Sequence, residues 1–122
     1  MTFKVEKGKV YIMGAGPGDI GLISLKAKTI LEQADVIIYD NLVNEEVFKW
    51  AKNDAKKVFV GKKSGQHSIL QSEINALLVE EGLKFHSVAR LKGGDPLVFG
   101  RASEEISSLE DVMGGHAFLA FF

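Results

Sequence analysis

Glycine-rich turns follow directly on short β-branched runs in this sequence, and that junction restricts its possible folds more than any other feature. The run 9–13 (KVYIM) passes at once into Gly14-Ala15-Gly16-Pro17-Gly18-Asp19, whose glycines and proline let neither strand nor helix continue. Three further runs read as strands: Val36 to Tyr39, Val58 to Val60, and Ser87 to Leu91. The last of these leads into Lys92-Gly93-Gly94-Asp95-Pro96, a second glycine turn in the same position relative to its strand. Between the runs lie amphipathic stretches. This alternation predicts an α/β fold, a mainly parallel sheet of about five strands flanked by helices.

Local signals place the helices. Ser24 is an N-cap, followed by a helix burying Leu25, Ile30 and Leu31 and ending near Gln33. Asn44 caps a short second helix with Glu45 and Glu46 in its first turn, Val47, Phe48 and Ala51 inside and Trp50 at the margin. Ser68 and Gln71 form a capping-box pattern before a helix carrying Ile74, Leu77 and Leu78, with Gly82 as its stop. A last helix is expected from about Arg101 to Leu109. The tail 114–122 (GGHAFLAFF) reads as a fifth strand or an exposed apolar edge. Residues 1–109 are thus expected to form one α/β domain, with 110–122 an atypical tail.

Composition narrows the function classes. A formal charge of -1 argues against binding to bulk nucleic acid or anionic membrane, both of which need a basic surplus. The absence of cysteine removes disulfides, thiolate chemistry and cysteine metal sites, and the three histidines are too scattered for a metal motif. No apolar run approaches the length of a membrane span, and the N-terminus lacks a signal-peptide pattern, so a cytoplasmic protein is expected.

In open α/β sheets, ligands bind beyond the carboxyl ends of the strands, where Gly14 to Asp19, Asp40, Gly61-Lys62 and Gly93 to Asp95 all fall. A dinucleotide fingerprint fails in detail, because Asp19 stands where the third glycine belongs and Pro17 removes an amide. The Walker phosphate loop is absent. Asp40 either caps the following turn or acts as a general base. Lys62 either binds carboxylates or donates a proton, and Asp95 either caps the turn before Pro96 or accepts from a ligand.

GAGPGD at 14–19, ADVIIYDNLV at 34–43, VGKKSGQHS at 60–68 and RLKGGDPLVFGR at 90–101 together resemble the N-terminal half of the tetrapyrrole methylase family, most closely its uroporphyrinogen-III C-methyltransferase branch. The resemblance runs in order from about Lys9 to about Glu105. It implies a two-domain enzyme, usually homodimeric, that moves methyl groups from S-adenosylmethionine to ring carbons of uroporphyrinogen III, giving precorrin-2 for sirohaem and cobalamin. By motif position, Pro17, Gly93, Gly94, Asp95 and Val98 match cofactor contacts, Asp40 a proton acceptor and Lys62 a proton donor. The polycarboxylate substrate then suits Lys63, His67, Lys92 and Arg101, which lie in or beside the same loops. No metal is implied.

The family pattern continues into a second domain, and the tail departs from it, which suggests a truncated or frame-shifted product. Half a cleft offers a ligand only part of its contacts, so the isolated chain is expected to bind the cofactor weakly or not at all and to be inactive. The alternatives are a noncatalytic binding module on half of this fold and another corrin-pathway methyltransferase of the family.

Overall fold

The β-branched runs assemble into a parallel sheet in a computed structural model that describes residues 5–14, 24–40, 43–61, 71–84, 86–92, 107 and 118–121 of the 122. The strands are β1 (Val10–Gly14), β2 (Val36–Tyr39), β3 (Lys56–Phe59), β4 (Val88–Lys92) and β5 (Phe118–Phe121), in spatial order β3-β2-β4-β1-β5. Every pairing is parallel. Helices α1 (Leu25–Gln33) and α2 (Gln71–Leu83) and a 3-10 helix (Glu45–Trp50) make the crossovers.

Side chains alternate across the sheet, so each strand feeds two cores. Tyr11, Met13, Ile37, Ala89 and Leu91 pack with Ala27, Ile30 and Leu31 of α1 and Val47 of the 3-10 helix. On the other face Val10, Ile12, Val36, Ile38 and Val88 meet Ile74 and Leu78 of α2. Strands covered on both faces are apolar on both, as these sequences are. Burial of Leu31 or Leu78, each with no exposed surface, contributes about 2 kcal/mol.

The caps lie where the sequence puts them. Ser24 accepts a hydrogen bond from the Ala27 amide at 3.1 Å, and Asn44 accepts one from the Glu46 amide at 3.0 Å. Four details differ from expectation. Leu25 is 83% exposed. The buried stripe of α1 is Ala27, Ile30 and Leu31, and at 100° per residue Leu25 lies about 160° from Ala27. Gly82 does not stop α2, which continues to Leu83; Gly82 is itself buried, where absence of a side chain permits close packing. The third strand begins at Lys56, not Val58, because an edge strand tolerates charge. The first and fourth strands reach one residue further, to Gly14 and Lys92.

The tail forms β5, paired with β1 from Val10↔Phe118 to Met13↔Phe121. The expected capping box at Ser68 and most of the expected helix 101–109 lie outside the described residues, apart from Ser107, which is helical and exposed.

Two carboxylates tie the amino-terminal ends of the strands. Asp35, just before β2, accepts from Lys7 at 2.6 Å, from Lys52, and from the Ser87 amide and hydroxyl at 2.9 and 3.0 Å. It thereby joins the lead-ins of β1, β3 and β4 to that of β2. Glu81 of α2, whose side chain is 1% exposed, contacts Lys56 at 3.1 Å and His86 Nδ1 at 2.9 Å. Gly8, at φ 78°, turns the chain so that its amide donates to the His86 carbonyl at 3.0 Å.

Burial pushes the Asp35 carboxyl up, but the hydrogen bonds from Lys52, Lys7 and Ser87 outweigh it and hold the group well below the usual carboxylate range. Burial likewise opposes ionisation of Glu81, and its bonds to His86 and Lys56 with the charges of Lys56 and Lys84 outweigh it, lowering its pKa. A depressed folded value means that each group's stabilisation is complete above its unfolded value of about 4 and is lost as pH falls below it. Asp35→Ala should cost about 2–4 kcal/mol in urea unfolding at neutral pH. Asp35→Asn should flatten part of the acid limb of a stability profile between about pH 5 and pH 3; an unchanged limb would remove Asp35 from this role.

Candidate functional site

The register sets the carboxyl ends of three neighbouring strands level. Tyr39 of β2 pairs with Leu91 of β4, and Leu91 pairs with Met13 of β1. One residue further, Lys92 pairs with Gly14, and Asp40 leaves β2 at the same height. Adjacent strands are about 4.8 Å apart, so Asp40 emerges about one strand spacing from Lys92 and about two from Gly14. On the far side of β2, the Val60 amide donates to the Tyr39 carbonyl at 2.8 Å, which brings Gly61 and the chain toward Lys62 to the same edge. Both glycine turns therefore depart from paired residues of neighbouring strands.

Asp40 is half-buried, and its carbonyl accepts from the Val43 amide at 3.3 Å, closing the turn that precedes the Asn44 cap. The turn is held through the backbone of Asp40, and Asn44 supplies the cap of the 3-10 helix. Tyr39 packs edge-on against Phe48 at 4.7 Å and Phe59 at 5.5 Å between ring centres. This aromatic cluster stiffens the end of β2 immediately before Asp40. Burial, with a smaller contribution from the charge of Glu45, raises the Tyr39 phenol above its ordinary value.

Lys92, expected as the first residue of the second glycine turn, is the last residue of β4 and only 7% exposed. Pairing with Gly14 prolongs the strand and draws it in. Arg90, two residues earlier on the same face, is 2% exposed and donates to the Leu91 carbonyl at 3.3 Å. Sequence reasoning assigned no role to Arg90. The available signal was a cation inside the apolar strand VARLK, where the alternation Val88, Arg90, Lys92 gives one face two buried positive charges.

Of the sequence-derived site, Asp40 and Lys92 are described and share one edge. Pro17, Lys62, Lys63, His67, Gly93, Gly94, Asp95, Val98 and Arg101 lie outside the described residues. Among the described residues no cluster of histidines and carboxylates is suited to a metal ion.

The sequence profile of the tetrapyrrole (corrin/porphyrin) methylases matches residues 9–117. Siroheme synthase 2 of Pectobacterium atrosepticum is 50% identical over 105 residues, covering 86% of this chain and 23% of that protein. Uroporphyrin-III C-methyltransferase of Thermus thermophilus superposes with a TM-score of 0.76 at 40% identity, covering 93% of this chain and 46% of the other. The same enzyme complexed with S-adenyl homocysteine gives 0.72 at 41% identity, over 93% and 43% of the two chains. The chain thus spans about a quarter of the siroheme synthase and just under half of the methyltransferase.

The packing around Tyr39 can be checked by titration. In a Tyr11→Phe variant, ultraviolet absorption should give a phenol midpoint above the ordinary 10.0. A midpoint at or below that value would show that the end of β2 is open to water.

Proposed function

This chain belongs to the tetrapyrrole (corrin/porphyrin) methylases, and on that premise we propose that it forms the first part of an S-adenosylmethionine-dependent C-methyltransferase that converts uroporphyrinogen III to precorrin-2 for sirohaem. The observation that carries this reading is the pairing of Gly14 with Lys92. It makes the GAGPGD and GGDP turns leave from adjacent strand ends, level with Asp40. Two backbone turns at one edge can approach a single ligand from neighbouring sides without intervening side chains. The described residues fit that group: the strand ends are parallel and in register.

S-adenosylmethionine, when bound, supplies a methyl group made electrophilic by its sulfonium. The chain's part is to hold and align, because in-line displacement at carbon depends on positioning and exclusion of water. By motif position Pro17, Gly93, Gly94, Asp95 and Val98 would contact the cofactor, Asp95 as acceptor from its amino group. Asp40 accepts the proton lost from the methylated pyrrole carbon. Its place supports this role, since it is half-buried at the end of a strand stiffened by Tyr39, Phe48 and Phe59.

Cations of the sequence segments that follow the strands bind the acetate and propionate groups of the substrate. Lys62 belongs to this set or donates a proton, and Lys63, His67, Lys92 and Arg101 complete it. Lys92 ends β4 at this edge, and Arg90 lies two residues before it on the same face, both buried.

Grafting residues 9–105 in place of the matching stretch of the Thermus enzyme tests this assignment in a complete cleft. Asp40→Asn in that hybrid should cut turnover about 100-fold or more, the range for loss of a general base, while S-adenosylhomocysteine affinity by calorimetry stays within about threefold. Equal turnover in both hybrids would assign Asp40 to structure.

A further inference from the structure

The parallel sheet ends in β3 on one side and β5 on the other. An edge strand carries backbone N–H and C=O groups on its outer side, and neither β3 nor β5 meets a second strand among the described residues. The two edges differ in what the sequence puts on them. β3 opens on two exposed lysines, Lys56 held by Glu81 at 3.1 Å and Lys57 set over the Phe48 ring at 5.9 Å. Lysine on an edge strand resists addition of another strand, because pairing would strip water from the ammonium. β5 lacks that protection. From Ala117 to Phe122 the chain has no charged residue, no proline and no glycine, and three of the six residues are phenylalanine. Uncharged runs of this kind pair readily with copies of themselves.

Backbone geometry fixes how a second strand can add. In a parallel pair, alternate residues direct their N–H and C=O groups toward the neighbouring strand, so half of β5 bonds to β1 and the other half faces outward. A second β5 related by a twofold axis normal to the sheet runs antiparallel to the first. It sets Phe118 opposite Phe121, and Leu119 opposite Ala120, of the other copy. Every cross-strand pair is then apolar. Addition of β3 in its place would set Lys56 and Lys57 against apolar residues.

We infer that β5 is a self-association edge, at which a second copy of this chain adds its own β5 and joins two five-stranded sheets into one. The contact is isologous, so it uses both β5 edges and leaves the lysine-bearing β3 strands at the two ends of the joined sheet. Association therefore stops at two copies. The strands of one copy run opposite to those of the other, which puts the two edges carrying Gly14, Asp40 and Lys92 on opposite sides of the joined sheet. Pairing over four residues buries little surface, so the dimer is weak and dissociates on dilution. This contact is independent of the methyl-transfer assignment.

Sedimentation equilibrium of the 122-residue chain between about 10 μM and about 1 mM should show a passage from monomer to dimer with no larger species. Over the same range, amide hydrogen exchange at alternate residues of Phe118–Phe121 should slow severalfold as concentration rises, while exchange at Lys56–Phe59 stays constant. Leu119→Pro and Ala120→Pro separate the two sides of the strand, since one removes an N–H facing β1 and the other an N–H facing outward. The outward variant should be a monomer with unchanged circular dichroism. Exchange in the unaltered chain decides the matter should either variant fail to fold. A monomer at every concentration, growth beyond two copies, concentration-dependent protection at β3 in place of β5, or dimers from both folded proline variants would overturn the proposal.

Discussion

The carboxylate of Asp35 is the interaction on which the arrangement of this sheet depends. Its partners come from positions 7, 52 and 87, so one side chain fixes the entry points of four strands. A parallel sheet needs such a device, because its strands are joined by long crossovers and not by hairpins that would set register locally. Once the entry points are fixed, hydrogen bonds carry the register through four or five residues to the opposite edge. There Gly14 and Lys92 finish as a pair, with Asp40 beside them. The base of the molecule thus sets the geometry of the end that carries the glycine turns.

The two edges divide charge differently. At the base, Asp35 is half-buried and Glu81 buried, and lysines, a hydroxyl, an amide and His86 hold them, which favours ionised, ordered pairs. At the carboxyl edge the cations are the buried groups, Arg90 and Lys92, and Asp40 is the described carboxylate. The chain belongs to the tetrapyrrole (corrin/porphyrin) methylases, and its proposed ligands would meet the sheet at this edge.

The sequence showed what local rules govern. Ser24 and Asn44 were legible as caps because their partners lie within three residues. Strands β1, β2 and β4 were legible because both of their faces are covered, leaving largely apolar runs. Leu25 was misplaced because apolar character alone does not say which side of a helix a residue occupies. The Asp35 cluster left no pattern at all, since its members lie 17 to 52 residues from Asp35. Arg90 was visible within a motif, but its burial depends on register with Ile12 and Ile38, which no local spacing encodes. For the site, four motifs in order named the residues, whereas only the topology shows that their strands end side by side.

The central claim is that the carboxyl edge of this sheet is one wall of an S-adenosylmethionine site. Its most direct test is to record backbone amide spectra of the chain during titration with S-adenosylhomocysteine into the millimolar range. The account predicts weak, saturable shifts at Gly14, Asp40 and Lys92, with Asp35 and Ser87 unaffected. An unchanged carboxyl edge, or shifts gathered instead around Asp35, would contradict it.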